Sequence, residues 1–509
     1  MLSKVEGSLV GQAALIASLE LRRPPPAVIS MVGVGARRTV TEDGRTVERY
    51  PVSYQPEDTL AGHLRFALRY EPIDLGILSE AFGYRAAAEQ IEAWVRSEPT
   101  GAYARRAWFL FEWLTGKQLD LPDAGPVGYV DALDAKLHII AKGSPSRRHK
   151  VTNNILGSPG FAPLVRRTQR LVAFMKEDLA AEARNLVAGC EPEVLARAVN
   201  YLYTKETKSS FAIERETATG KKAERFVAAL RSAKSFEPTD PQSLIDLQNI
   251  IVDARYAAKD LRDFQNFVGS TVGGYREEVH FICPRPEDVR SLVADWAAMT
   301  ERLKEATDPV VAAALTAFGF VFIHPFEDGN GRIHRFLIHQ VLAREGFTPP
   351  NILFPVSAAI VRDLREYDTV LETFSGPIMP HIDWHWTPAR EITVDNDTAH
   401  LYRYFDATPL AEFLYAKVAA TIRKDLKEEL EFVAVYDAAK SAVDEIIDMP
   451  DRKASLLVRL CLQNSGRLSK AKREMFSEIE DHEIEAIEAA IQEIIAGHTV
   501  LPPEEDFTP

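Results

Sequence analysis

Cysteine is scarce in this 509-residue chain: Cys190, Cys283 and Cys461 are odd in number and scattered. No disulfide framework and no CxxC metal site can be built from them, which suits a reducing compartment. Long hydrophobic runs are missing too. The longest, Val310 to Ile323, is interrupted by Thr316 and Gly319 and is too short to span a bilayer. The opening MLSKVEGSLVGQAALIASLELRRPPP lacks a charged segment leading into a sustained apolar core with a small-residue cleavage site, so no export signal is read. A cytoplasmic location is expected, with no membrane partner. Positive charge is in deficit: 60 Lys and Arg against 74 Asp and Glu leave a net charge of −14. That balance argues against nonspecific nucleic-acid binding and makes DNA an unexpected partner. The last forty residues hold 11 acidic and three basic side chains, so most of the acidity belongs to the C-terminal end. Internal repeats and low-complexity tracts are absent.

What is present reads as mainly α-helical, in three regions: 1–160 with a small β-hairpin and helices, 161–388, and a helical 389–509. In the first, RTVTEDGRTVERYPVSY (38–54) has β-rich runs on either side of Asp43-Gly44, a dipeptide suited to hairpin turns. Helices are expected over Ile73–Phe82, Arg85–Arg96 and Ala102–Leu114, with a break at 97–102. Lys142–Asn154, KGSPSRRHKVTNN, reads as an exposed loop or linker, or a basic contact patch. In the second region helical spacing runs over Val165–Val187, Pro192–Thr204, Gly220–Ser235, Pro241–Tyr256, Pro286–Ala306, Asp308–Ile323, Gly331–Glu345 and Ala358–Phe374. One interruption, Asn266–Cys283, has two β-rich runs around Gly273-Gly274-Tyr275 and reads as a hairpin. Ser455–Phe476 fits either a helix-turn-helix with Asn464-Ser465-Gly466 at the turn or a partner-binding helical module.

Chemistry concentrates in residues 324–335, His-Pro-Phe-Glu-Asp-Gly-Asn-Gly-Arg-Ile-His-Arg, between an apolar helix and an amphipathic one. The Gly-Asn-Gly turn lets backbone amides face one concavity, and the following helix N-terminus adds partial positive charge, so the loop suits phosphate. Arg332 and Arg335, three apart, can reach one anion. Asp328 suits Mg²⁺, a hard cation that takes one or two carboxylates plus phosphates and water. His324 stands where a base working near neutral pH is needed. His334, His339, His381 and His385 lack the further spaced ligands that a zinc site requires.

The string resembles the Fic family signature, HxFx(D/E)GNGRxxR, at every defined position: His324, Phe326, Asp328, Gly329, Asn330, Gly331, Arg332 and Arg335. The resemblance covers about residues 165–375. It implies a Fic-type helical domain and a protein adenylyltransferase that moves AMP from ATP to a Ser, Thr or Tyr hydroxyl of a protein, with Mg²⁺. By it, His324 deprotonates the acceptor hydroxyl, Asp328 holds Mg²⁺, and Gly329, Asn330 and Gly331 form the anion hole. Arg332 contacts the phosphates and Arg335 holds the γ-phosphate. The protein substrate stays unidentified, with the chain itself among the candidates, and an oligomer stays open.

Upstream, Ser210 and Glu214, four apart, resemble the family's inhibitory motif [S/T]xxxE[G/N], placing an inhibitory helix near 205–216. By that resemblance Glu214 pairs with Arg335 where the γ-phosphate must bind; Arg215 departs from the usual Gly or Asn. The 266–283 hairpin is either the family's substrate flap or a cover for the core. Tyr367 either lines the adenine pocket, as a family tyrosine does, or is a half-buried helix aromatic. Two other readings remain beside the adenylyltransferase: the same fold with another nucleotide, transferred group or AMP removal, and a nucleotide-sensing regulator with a partner- or DNA-binding module.

Overall fold

A computed structural model describes residues 7–42, 45–272 and 276–497. The turns expected at Asp43-Gly44 and Gly273–Tyr275, the first six residues and the last twelve lie outside them. The chain forms two compact units, each assembled from separated stretches. The first takes the residues through Glu177, then Glu224–Glu345 and Asp363–Ala416. The second takes Asp178–Ala223, Gly346–Arg362 and the residues from Lys417 onward.

The first unit begins with a four-stranded sheet. Strands Arg38–Glu42 and Arg45–Pro51 pair antiparallel, with Val40 opposite Val47, as the β-rich runs predict. Arg45–Pro51 also pairs in parallel with Val28–Gly33, which pairs antiparallel with Ser8–Val10. Helices Leu60–Tyr70, Leu75–Gly83, Ala87–Ser97 and Ala102–Thr115 follow, the last three within two residues of the expected spans. Their starts and stops are chemical. Asp74 accepts from the amides of Gly76 and Ile77, and the last helix stops at Gly116 in the left-handed region. Their buried faces, including Leu64, Leu78, Ile91 and Trp108, make one apolar core.

Some segments differ from the sequence reading. The 142–154 stretch is not a bare loop: Ser144–Ser146 and Val151–Asn153 are antiparallel strands, joined in parallel by Val130–Asp131. The single helix expected over 165–187 is two, Gln169–Lys176 and Leu179–Ala188. Each is started by its own side-chain cap, Thr168 accepting from Leu171 and Asp178 from Ala181. A short antiparallel pair, Trp384–Trp386 with Ile392–Val394, stands where the helical reading of 389 onward began.

The rest of the first unit surrounds the helix Pro309–Ile323. Asp308 caps it, accepting from Val310 and Val311, and almost every side chain on it is buried. A helix apolar on all sides belongs at the centre of a domain. At Gly319 the packing is closest, because a Cβ there would meet Phe161 and Trp296 at 3.0 Å. Pro286–Leu303 and Asn330–Arg344 flank this central helix. The predicted hairpin forms from Phe267–Val272 and Arg276–Ile282, antiparallel with an irregularity between Val268 and Gly269. The single helix expected over 358–374 is also two, Val356–Val361, which belongs to the second unit, and Leu364–Ile378 in the first, capped by Asp363.

The second unit is built on Pro192–Ile213, Lys427–Ile446, Asp451–Leu462 and Asp481–Ala496. Buried Glu206 accepts from the Ser357 amide at 2.8 Å, fixing the Pro192–Ile213 helix to the start of Val356–Val361. Buried Asp425 binds Arg362 through two bonds of 2.7 Å and Lys205 at 3.0 Å.

Candidate active site

The central helix delivers His324. Its last turn ends with His324 itself in the left-handed region, φ 52°, and the His324 amide bonding the Phe320 carbonyl. The ring turns back so that Nδ1 lies 3.2 Å from the Val321 carbonyl. A carbonyl only accepts, so Nδ1 carries the proton and Nε2 carries the lone pair of the neutral ring. The other histidine of the motif is chemically different. His334 is fully buried, its ring 4.6 Å from Phe318, and burial pushes its pKa down to about 3. It is a neutral packing residue.

The loop between the two helices closes on itself. Asn330, nearly buried, accepts from the Phe326 amide at 3.0 Å and donates to the Phe326 carbonyl at 2.9 Å, so its side chain braces the loop. Its backbone amide opens the helix Asn330–Arg344, whose first-turn amides have no acceptor within the helix. Gly329 caps that helix at φ 90°, where an L side chain is strained, and a Cβ would meet Val252 at 3.0 Å. Gly331 follows in the first turn, so Gly329, Asn330 and Gly331 lie together at the N-terminal end that favours anions.

Arg332 and Arg335 are each 1% exposed, one turn apart on this helix. Arg332 donates to both carboxylate oxygens of Asp328 at 3.0 Å, and the Gly329 amide donates to the same carboxylate at 2.6 Å. The Asp328 side chain is 46% exposed, which leaves it a solvent-facing side. Among the described residues no three His, Cys, Asp or Glu converge on a cation site. One half-exposed carboxylate beside an anion loop fits Mg²⁺ held jointly by protein and nucleotide phosphates, and does not fit an all-protein zinc cage.

Two positioning residues have no counterpart in the motif. Arg262 is buried and donates through Nε to the His324 carbonyl at 2.7 Å. Its other nitrogens reach the carbonyls of Phe264, Pro284 and Ile323, and its backbone amide that of Pro325. One guanidinium thus ties the histidine turn to the base of the 266–283 hairpin. Burial lowers its pKa, yet an arginine stays charged at neutral pH. Gln248 donates to the Asp328 carbonyl at 3.2 Å and accepts from the Ala258 amide. Neither had a spacing signal, since their partners lie far along the chain.

The remaining predicted residues belong to other helices. Tyr367 is buried on Leu364–Ile378, its ring 6.3 Å from His334 and 5.9 Å from Phe413. Ser210 and Glu214 belong to the second unit. Ser210 is fully buried on Pro192–Ile213, and exposed Glu214 is that helix's C-terminal residue. Arg215 next to it has φ 58°, and the Arg215 and Glu216 amides bond the carbonyls of Ala212 and Phe211. This is a Schellman ending, in which the residue after the cap must be left-handed. A Gly or Asn at 215, as in the motif this segment resembles, would meet that demand at lower cost than arginine.

Comparison with known proteins covers the same region. Residues 238–342 match the model of the Fic/DOC family. Protein adenylyltransferase Fic of Nematostella vectensis is 38% identical over 118 residues, 22% of this chain and 26% of that protein. Protein adenylyltransferase fic-1 of Caenorhabditis elegans is 36% identical over 64 residues, 13% of this chain and 12% of that one. The matches thus span about a quarter or less of these relatives. A solved Fic family protein from Desulfovibrio desulfuricans is 19% identical, with a TM-score of 0.38, over 56% of this chain and 82% of the other. The family match includes His324 to Arg335, Arg262, Gln248 and the hairpin, and excludes Ser210, Glu214 and Tyr367. The chain therefore carries a Fic domain at residues 238–342.

Proposed function

We propose that this chain is a protein adenylyltransferase that transfers AMP from ATP to a Ser, Thr or Tyr hydroxyl of a protein, and that Glu214 restrains it. The observation that carries the reading is the bond from His324 Nδ1 to the Val321 carbonyl, which makes Nε2 the basic nitrogen beside an anion-binding loop. His324 Nε2 takes the proton of the acceptor hydroxyl. The hydroxyl oxygen bonds the α-phosphorus while the bond to the β-phosphate oxygen breaks, and pyrophosphate leaves. The first-turn amides of Asn330–Arg344 and the guanidinium groups of Arg332 and Arg335 hold the phosphates in line, since transfer of this kind depends mainly on positioning and charge neutralisation. Asp328 is the residue that would hold Mg²⁺, whose charge offsets that of the phosphates when bound. Tyr367 is read as a packing partner of His334.

The restraint is read from the ending of the Pro192–Ile213 helix. Ser210 is locked in place by burial and Glu214 is presented at the helix end, a carboxylate able to compete with a phosphate for a guanidinium. The test is label transfer from α- or γ-labelled ATP with Mg²⁺, in wild type, Glu214→Gly and His324→Ala. Protein acquires the α-label, at least tenfold faster in Glu214→Gly, and none in His324→Ala. Transfer of the γ-label, or undiminished transfer by His324→Ala, would sink the proposal.

A further inference from the structure

A second cluster of reactive side chains lies outside the Fic domain, in the strand pair of residues 144–153. Ser146 Oγ is 2.7 Å from His149 Nδ1, and His149 Nε2 is 3.0 Å from a Glu112 carboxylate oxygen. The other Glu112 oxygen accepts from Trp108 Nε1 at 2.6 Å, the Leu119 amide at 3.0 Å and Arg148 at 3.0 Å. Burial pushes the Glu112 carboxyl up, but the bonds from Arg148, Trp108 and Leu119 outweigh it and hold it below its ordinary value. Buried His149, its ring 4.5 Å from Trp108, is pushed down by desolvation and stays neutral near pH 7. The ionised carboxylate requires the ring proton on Nε2, so Nδ1 accepts the Ser146 hydroxyl proton. The serine oxygen is thereby fixed, with its lone pairs directed away from the ring.

Its setting is that of an accessible substrate segment. Ser144–Ser146 is the edge strand of its sheet, paired on one side by Val151–Asn153, and Ser144, Pro145 and Arg147 are exposed. Edge strands can pair with another chain's strand, although this one is three residues long and lacks the amide of Pro145, which limits the pairing it offers. Lys142, Arg147, Arg148 and Lys150 make the stretch 142–154 basic, with no acidic residue in it. The hairpin beside the Fic loop carries the exposed pair Glu277 and Glu278 on its second strand. Opposite charges suit an encounter between two copies.

We infer that Ser146 is an acceptor of AMP, modified by a second copy of this chain whose 266–283 hairpin pairs with the Ser144–Ser146 edge. This rests on the adenylyltransferase reading and names a substrate for it. Ser146 Oγ bonds the α-phosphorus of the ATP held by the second copy. The bond from that phosphorus to the β-phosphate oxygen breaks, pyrophosphate leaves, and the hydroxyl, rotating off His149, gives its proton to His324 Nε2 of that copy. The product is an adenylyl phosphodiester on Ser146.

The test mixes two full-length forms: an enzyme bearing Glu214→Gly and Ser146→Ala, and an acceptor bearing His324→Ala, incompetent for its own transfer. Both receive MgATP. Tandem mass spectrometry reads the acceptor and a coupled assay reads pyrophosphate. The adenylyl group is expected on acceptor Ser146. Labelling should fall at least tenfold when the acceptor also carries Ser146→Ala and persist with Ser146→Thr, which keeps the hydroxyl. Thermal melts of the acceptors confirm equal folding. Pyrophosphate release with Ser146 unmodified, or label on other residues undiminished by Ser146→Ala, overturns this proposal and leaves the transferase reading standing. Neither label nor pyrophosphate overturns that reading, and this inference with it.

Discussion

The Nε of Arg262 donates to the backbone carbonyl of His324 at 2.7 Å, across 62 positions of chain. A left-handed histidine at the end of a helix is a strained element that its surroundings must hold. Arg262 supplies that hold and extends it to Pro284 at the foot of the hairpin. The His324 turn and the foot of the hairpin are therefore held by one buried cation.

Arg262→Lys should uncouple them. A lysine keeps the charge but cannot reach the carbonyls of His324, Phe264 and Pro284 from one rigid fork. We expect kcat to fall on the order of 100-fold, the scale on which a displaced catalytic group costs rate. Nucleotide affinity should change far less, since the anion loop is braced independently by Asn330. Steady-state kinetics with an equilibrium nucleotide titration check this; an equal loss in both would count against it.

Arg215→Gly tests the restraint proposed for Glu214. The left-handed conformation costs a residue with a Cβ roughly 1–2 kcal/mol, and glycine avoids most of it while losing some chain entropy. The helix ending should gain roughly 1 kcal/mol, read by denaturant unfolding of the variant. Basal AMP transfer should drop severalfold, because Glu214 is held more firmly at its helix end. Faster transfer would show that arginine itself contributes to the restraint.

Glu71 makes a pH-dependent contribution. It is buried, accepts from the Gln12 amide and side chain at 2.9 and 3.1 Å, and burial pushes its pKa up to about 7. A folded-state pKa raised above the unfolded value gives stability that is fully present below about pH 4.5 and is lost as pH rises through about 7. The loss is about 3 kcal/mol at 1.36 kcal/mol per unit. Glu71→Gln keeps an acceptor for Gln12 without a titrating charge. Its stability relative to wild type should therefore rise between pH 5 and 8. Parallel unfolding curves across that range would refute the assignment.

Whatever depends on local chemistry could be read from the residues alone. Residues 324–335 bring a histidine, a carboxylate, a Gly-Asn-Gly turn and two arginines within one loop and one helical turn, so their proximity needs no knowledge of the fold. Helices in the first region were legible because caps such as Asp74 and breakers such as Gly116 act on their immediate neighbours. The expected 165–187 and 358–374 helices were too long because apolar spacing continues across Asp178 and Asp363, where the side chain bonds the next helix's amides instead. Tertiary structure alone decided the rest. The parallel pairing of Ile29 with Val47, the hold of Arg262 on His324 and the chain of Ser146, His149 and Glu112 each close a loop of many residues. Nothing in local spacing encodes such closure; it follows from burial, where a charged or polar group is stable only if it finds partners, wherever along the chain they come from.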